Sequence, residues 1–195
     1  MPLYHERNLC IKKILDDMNI GSVLDCGCGN GRLLFLLYQQ KKYSKLTGID
    51  ISEKRIQQAK KKYSTTDIVF LNKSLFDLDK NFFWHEAIVA SEIIEHFTVN
   101  ELDAFCEIIF NICAPNLAII TTPNKSYNSN YETLCNGLRH SSHLFEFNEE
   151  ELTTFLNTII KKYPQYSAES TFCDSNHSSH LIILRKDNKN YEKQG

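Results

Sequence analysis

A chain of 195 residues, 42% hydrophobic and 24% charged, has the size and mix of one globular domain with a substantial buried core. Its formal net charge of −2 excludes a broad basic field, so any grip on nucleic acid must be local and involve few phosphates. The seven cysteines are odd in number and scattered, which excludes a disulfide framework and leads us to expect a reducing compartment, the cytoplasm with the nucleus as the alternative. Residues 1–7 lack a charged start followed by an apolar run, so no signal peptide is expected. No run approaches the ~18 apolar residues of a transmembrane helix, and no membrane association is expected.

In chain order, short apolar runs at 22–25, 45–50, 67–71, 87–91 and 117–122 read as strands. Between them, 32–41, 53–63 and 99–113 read as helices. In the last of these, Leu102, Phe105, Ile109 and Ile112 recur at helical spacing, and Thr98 with Glu101 forms a capping box. Asn148 with Glu151 repeats that signature before a further helix, which Pro164 ends. Residues 167–173 and 181–184 can pair as a hairpin. Strands alternating with helices predict an α/β fold: a doubly wound, mostly parallel seven-stranded sheet with a terminal antiparallel hairpin. One domain is expected over residues 1–186, followed by a polar, disordered tail at 187–195. In such sheets ligands sit beyond the carboxyl ends of the strands, at the switch in strand order.

The turn after the first strand reads Asp25-Cys26-Gly27-Cys28-Gly29-Asn30-Gly31. Glycines there let a ligand approach the backbone closely. The spacing is G-x-G-x-G; position 32 is Arg, so the dinucleotide fingerprint G-x-G-x-x-G fails. Cys26 and Cys28 have no partner pair at metal-site spacing and read as small buried side chains. The second strand ends in Asp50, an acid placed to accept hydrogen bonds from both hydroxyls of a ribose. A tight turn alone would also explain the glycines, but the acid at each strand end favours a ligand. Residues 23–52 resemble the class I S-adenosylmethionine methyltransferases. That resemblance implies S-adenosylmethionine as cofactor. It puts Gly27, Gly29 and Gly31 at the methionine part, Asp50 on the ribose, and Ser74 and Leu75 at the adenine, with Asp25 also among the cofactor-binding residues. Ser91, at the end of the fourth strand, belongs to the same set.

The fourth strand runs into Ser91-Glu92-Ile93-Ile94-Glu95-His96. If a helical turn begins at Glu92, then Glu92, Glu95 and His96 share one face. Two carboxylates and an imidazole suit a hard-to-borderline divalent metal, although an acid–histidine pair can stand here without one. A second segment reads Arg139-His140-Ser141-Ser142-His143-Leu144-Phe145-Glu146-Phe147, with Thr122-Pro123-Asn124 before it and Pro2-Leu3 and Arg7 near the start. Taken together, these pieces resemble the small-RNA 3′-terminal 2′-O-methyltransferases of the Hen type, from about residue 2 to residue 163. Ser142, Phe147, Asn148-Glu149 and Asn30 depart from the family's usual aspartate, tryptophan, Thr-Arg and glutamate. The resemblance implies a metal site of Glu92, Glu95, His96 and His143 holding one divalent cation: manganese, magnesium, iron or cobalt. It implies the 3′ end of small RNA as substrate, with Glu92 or His96 taking the proton, and Arg7, Asn124, Arg139 and His140 as candidate RNA contacts. Selection of RNA length falls to a partner protein or another chain. Two rivals stay open, a small-molecule O-methyltransferase of catechol or quinone-precursor type and an inactive cofactor- or RNA-binding subunit. His177 and His180 read as structural, and Lys60-Lys61-Lys62 as a solvated helix end.

Overall fold

Strand runs too apolar to face water on either side dictate the architecture. The computed structural model describes residues 3–79 and 84–187. β1 (Ser22–Cys26) is buried at every residue, as a central strand covered on both faces must be. It is followed by β2 (Lys45–Asp50), β3 (Val69–Asn72), β4 (Ala87–Ser91), β5 (Leu117–Pro123), β6 (Tyr166–Phe172) and β7 (Ser179–Lys186). They form one seven-stranded sheet in the order β3-β2-β1-β4-β5-β7-β6. The pairings from β3 to β5 are parallel, and β7 runs antiparallel to both β5 and β6.

Alternation along the strands builds two cores. Val23, Val89, Ile119 and Ile183 point to one face, where α1 (Leu3–Asp17), α2 (Arg32–Tyr38) and α3 (Glu53–Lys62) supply Ile11, Leu15, Leu34, Leu37 and Ile56. Leu24, Ile88, Ile120 and Ile182 point to the other, against α4 (Val99–Glu107) and α5 (Glu149–Lys162). Burying Leu24 or Ile119, each wholly inaccessible, contributes about 1.5–3 kcal/mol against the entropy of ordering the chain. The expected doubly wound sheet with its terminal hairpin is therefore the observed fold. Among the described residues no helix is long and apolar enough to cross a membrane.

Several boundaries differ from the expectation. No element was expected before residue 22, yet α1 is a four-turn helix. Only Ile11 and Leu15 on it are buried, too narrow a stripe to stand out among charged neighbours. α2 stops at Tyr38 rather than 41, and Lys41 takes a positive φ of 54° that helical geometry forbids. The span 99–113 is helical throughout, but its last six residues, Ile108–Cys113, form a π-helical segment that ends at left-handed Ala114 before Pro115. β7 extends to Ser179–Lys186 beyond the expected 181–184, and β3 is shifted to Val69–Asn72 from 67–71. Pro2 and, from residue 188 onward, the expected tail lie outside the described residues.

α5 starts on a complete capping box. Asn148 Oδ1 accepts from the Glu151 amide at 2.8 Å, and Glu151 Oε2 accepts from the Asn148 amide at 2.8 Å. This cap fixes where the 139–147 segment ends. Asn148→Ala should cost about 1 kcal/mol of stability in urea unfolding. An unchanged midpoint would show that the cap contributes nothing.

Candidate active site

β1 connects to β2 on one side and β4 lies on the other, so the strand order reverses at β1/β4 and leaves a crevice at the carboxyl ends. A cleft of about 590 Å³ opens there, lined by Gly27, Asp50, Ser74, Leu75, Ser91, Glu92 and His96 among others. The Gly27 and Cys28 amides donate to the Ile49 carbonyl at 2.8 and 3.0 Å, which closes the turn onto β2. Gly27 has φ 75°, and a Cβ there would stand 2.5 Å from Ile93 Cγ2. Gly31, at φ 78°, starts α2, and a Cβ would meet the Phe70 ring at 2.6 Å. Asp50 is buried and already accepts from the Gly29 amide and the Ser52 amide, both at 2.8 Å. Each carboxylate oxygen keeps a second lone pair for a ligand hydroxyl.

The residues expected around the cofactor therefore divide. Gly27, Asp50, Ser74, Leu75 and Ser91 line the cleft. Asp25, Gly29 and Gly31 are not in its lining: the Gly29 amide holds Asp50, Gly31 makes room for Phe70, and Asp25 is buried. Ile51, Arg55, Lys73, Phe76, Ile93 and Phe97 also line the cleft and escaped the sequence reading. Lys73 and Phe76 flank Ser74-Leu75 directly, which was the available signal; Phe97 carried none.

Beyond β4 the condition of a helical turn beginning at Glu92 is not met. Glu92 takes a left-handed φ of 54°, its amide donating to the Thr121 carbonyl at 2.9 Å. For a non-glycine residue this conformation costs about 1–2 kcal/mol. A 3₁₀ turn, Ile94–His96, follows. Glu95 and His96 then meet His143, with one potential ligand atom from each residue all within 4.8 Å of one another. Glu92 is not in that mutual group; its Oε2 lies 3.2 Å from Arg7. Glu92 Oε1 and Glu95 Oε1 are both buried without a hydrogen-bond partner. Glu95 Oε2 accepts from Thr122 Oγ1 at 3.0 Å. Burial, and then repulsion from Glu92, push the Glu95 carboxyl well above the usual carboxylate range.

Both imidazoles are held from behind. His96 Nδ1 donates to the Ser142 carbonyl at 3.0 Å. His143 Nδ1 lies 2.6 Å from Glu146 Oε1. Each Nε2 is thus the uncommitted ring nitrogen. The Leu144 amide donates to the Glu95 carbonyl at 2.8 Å, and the two rings cross at 74° with centroids 4.9 Å apart. Two segments almost fifty positions apart are stitched into one site.

Of the residues expected at RNA, two are spent on the fold. Asn124 is buried, its carboxamide accepting from the Ser126 amide and donating to the His177 carbonyl, each at 3.0 Å. Arg139 donates to Asn128 Oδ1 at 2.7 Å and to the Asn124 carbonyl, and lies over Tyr127 and Tyr131. Arg7 is mostly buried in its pair with Glu92. His140 is exposed, its Nδ1 against Ser142 Oγ at 2.7 Å. His180 is structural: it donates to the Phe147 carbonyl at 3.0 Å, and burial holds its pKa below the usual histidine value.

Burial and then repulsion from Asp50 raise the Asp25 carboxyl to about 8. The folded protein keeps a proton there that the unfolded chain has lost above about pH 4. This contribution to stability is complete below that pH and declines as the pH rises through about 8. Asp25→Asn should flatten the fall in melting temperature between pH 5 and 8. A decline as steep as that of the unaltered protein would show that Asp25 holds no such proton.

Residues 23–116 match a general methyltransferase-domain family. The small RNA 2′-O-methyltransferase of Schizosaccharomyces pombe is 32% identical, over 88% of this chain and 52% of that protein. The corresponding Xenopus tropicalis protein is 30% identical, over 87% and 49%. The chain thus spans about half the length of the curated relatives it matches. The crystal structure of the methyltransferase domain of bacterial CtHen1-C superposes with a TM-score of 0.83 at 30% identity, covering 95% of this chain and 99% of that one. With a match that runs nearly end to end on both chains, the protein belongs to the Hen1-type family of small-RNA 2′-O-methyltransferase domains.

Proposed function

We propose that this domain transfers a methyl group from S-adenosylmethionine to the 2′ oxygen of the 3′-terminal nucleotide of small RNA, with one divalent cation at Glu92, Glu95, His96 and His143. The observation that carries the reading is the donor set beside the cleft: two buried carboxylate oxygens without partners and two imidazoles, each with Nε2 free. Leaving a buried carboxylate unpaired is costly, and a cation is the partner that would relieve it; Glu95, His96 and His143 already converge, and Glu92, outside that group, would turn its open oxygen to the same ion. The residues therefore fit a divalent ion. The mix of imidazole and carboxylate ligands would suit manganese, iron or cobalt, with magnesium also accommodated, and such an ion could take ribose hydroxyls as further ligands.

When bound, the cofactor supplies a methyl group on an electron-poor sulfonium, and the ion lowers the pKa of nearby hydroxyl oxygens and orients them. The chain's own residues do the rest. Asp50 accepts from the cofactor ribose, and Ser74 and Leu75 flank its base. Glu92 and His96 line the same cleft, so the RNA end and the cofactor meet there. With Nδ1 donating to Ser142 and Nε2 the atom that would hold an ion, His96 would have no lone pair left for the proton. Glu92 has one, and we assign it the role of base; leaving Arg7 frees its second oxygen. Choice of RNA length or duplex character is assigned to a partner protein or to chain outside this domain. The free cysteines fit a reducing compartment, the cytoplasm or the nucleus.

RNAs that differ only in their last ribose test this reading. An end with both hydroxyls should be methylated, and chelator should abolish the reaction until Mn²⁺ is restored. Ends lacking the 2′ or 3′ hydroxyl, or carrying a 3′-phosphate, should react at least about a hundredfold more slowly, roughly 2.7 kcal/mol of transition-state stabilisation. A 3′-deoxy end methylated as fast as the diol would contradict chelation of the RNA end by an ion.

A further inference from the structure

Behind His143 lies a buried carboxylate that the proposed reaction does not use. Glu146 is 3% exposed, its side chain wholly inaccessible, and three hydrogen bonds converge on it. His143 Nδ1 lies 2.6 Å and the Arg139 amide 2.8 Å from Oε1, while Asn128 Nδ2 lies 2.6 Å from Oε2. The Arg139 amide and the Asn128 carboxamide nitrogen can only donate, one to each oxygen, so both Glu146 oxygens serve as acceptors and the proton on the His143–Glu146 bond belongs to Nδ1.

The support extends a further layer. Asn128 is itself buried, and its carbonyl oxygen accepts from Arg139 Nε at 2.7 Å. The guanidinium continues to the Asn124 carbonyl at the end of β5 and packs over two tyrosine rings. Arg139 therefore locks the amide that locks the carboxylate that orients the imidazole.

We infer that Glu146 is a positioning residue: it fixes His143 in the tautomer with the proton on Nδ1 and aims the bare Nε2 at Glu95 and His96, with Asn128 and Arg139 holding Glu146 in place. The part of this that concerns a metal rests on the function proposed above; the hold on the tautomer does not. A second-layer carboxylate of this kind raises ligand basicity and restricts the ring, and its loss commonly weakens a site by about 10–100-fold. Glu146→Gln is informative because a carboxamide offers one acceptor oxygen where three donors converge. With the carboxamide oxygen at the Oε1 place the Asn128 NH₂ faces the new NH₂, and with it at the Oε2 place the imidazole and the Arg139 amide do, so the imidazole no longer has one fixed partner.

Nitrogen NMR of ¹⁵N-histidine-labelled protein, without metal or RNA, reads the tautomer directly. The unaltered protein should show His143 protonated at Nδ1 alone, and Glu146→Gln should show a mixture or the opposite tautomer. Isothermal titration with Mn²⁺ should show affinity falling about 10–100-fold in that variant, with affinity for S-adenosylhomocysteine and the melting temperature as checks on folding. Asn128→Ala, which removes one brace and leaves the His143 bond, should give a smaller loss. A proton on Nε2 of His143 in the unaltered protein would overturn the inference, and that measurement needs no variant to fold. A single Nδ1 tautomer that persists in Glu146→Gln, with unchanged Mn²⁺ affinity, would also overturn it. If the unaltered protein bound no Mn²⁺ while its His143 tautomer changed in Glu146→Gln, the positioning role would stand and the metal reading would fall.

Discussion

The carboxyl edge of the sheet depends on keeping Glu92 and Glu95 close together where water has little access. Each has a buried oxygen with no partner, and the repulsion between them adds to the cost of burial in raising Glu95. An unpaired buried charge costs several kcal/mol, far more than one surface interaction returns. The chain offsets part of this by three means: a Thr122 hydroxyl on Glu95, Arg7 on Glu92, and a raised Glu95 pKa that favours the neutral acid. The two pairings act on the other oxygen of each carboxylate and leave Glu92 Oε1 and Glu95 Oε1 unpaired. Left-handed backbone at Glu92 adds strain at the same place, as sites held by their surroundings for function tend to show.

The end of β5 carries this arrangement. Thr121 receives the Glu92 amide and pairs its hydroxyl with Ser91 at 2.9 Å. Thr122 holds Glu95, and Asn124 receives Arg139, which braces the His143 segment through Asn128 and Glu146. One central strand thus sets the place of both halves of the site, while the β1 turn and Asp50 form the facing wall of the cleft. The spacing of the two walls of the cleft is consequently set by the register of β1, β4 and β5, strands that are almost wholly buried.

Much of this was legible from the residues. Hydrophobic periodicity located every strand and the helices from 32 onward, because doubly covered strands leave continuous apolar runs. The glycine turn and Asp50 marked the cleft, and both capping boxes were readable as spacing. The misses have physical causes. α1 buries too few side chains to advertise itself. The helical face assumed for Glu92, Glu95 and His96 failed because a hydrogen bond to β5 holds Glu92 out of the turn, an interaction between strands that local spacing does not encode. Arg139 and Asn124 looked like groups free to meet RNA, since a sequence does not show which polar side chains are consumed by one another. The bringing of His143 to Glu95 and His96 was legible only by resemblance, for nothing in spacing joins positions so far apart.

The central claim is that these two segments share one ion. Pulsed electron paramagnetic resonance of the Mn²⁺-loaded protein, with ¹⁵N in its histidines, tests it most directly. The account predicts nuclear couplings from two imidazole nitrogens, reduced to one in His143→Ala and to one in His96→Ala. Two couplings that survive in His143→Ala, or no imidazole coupling in the unaltered protein, would contradict it.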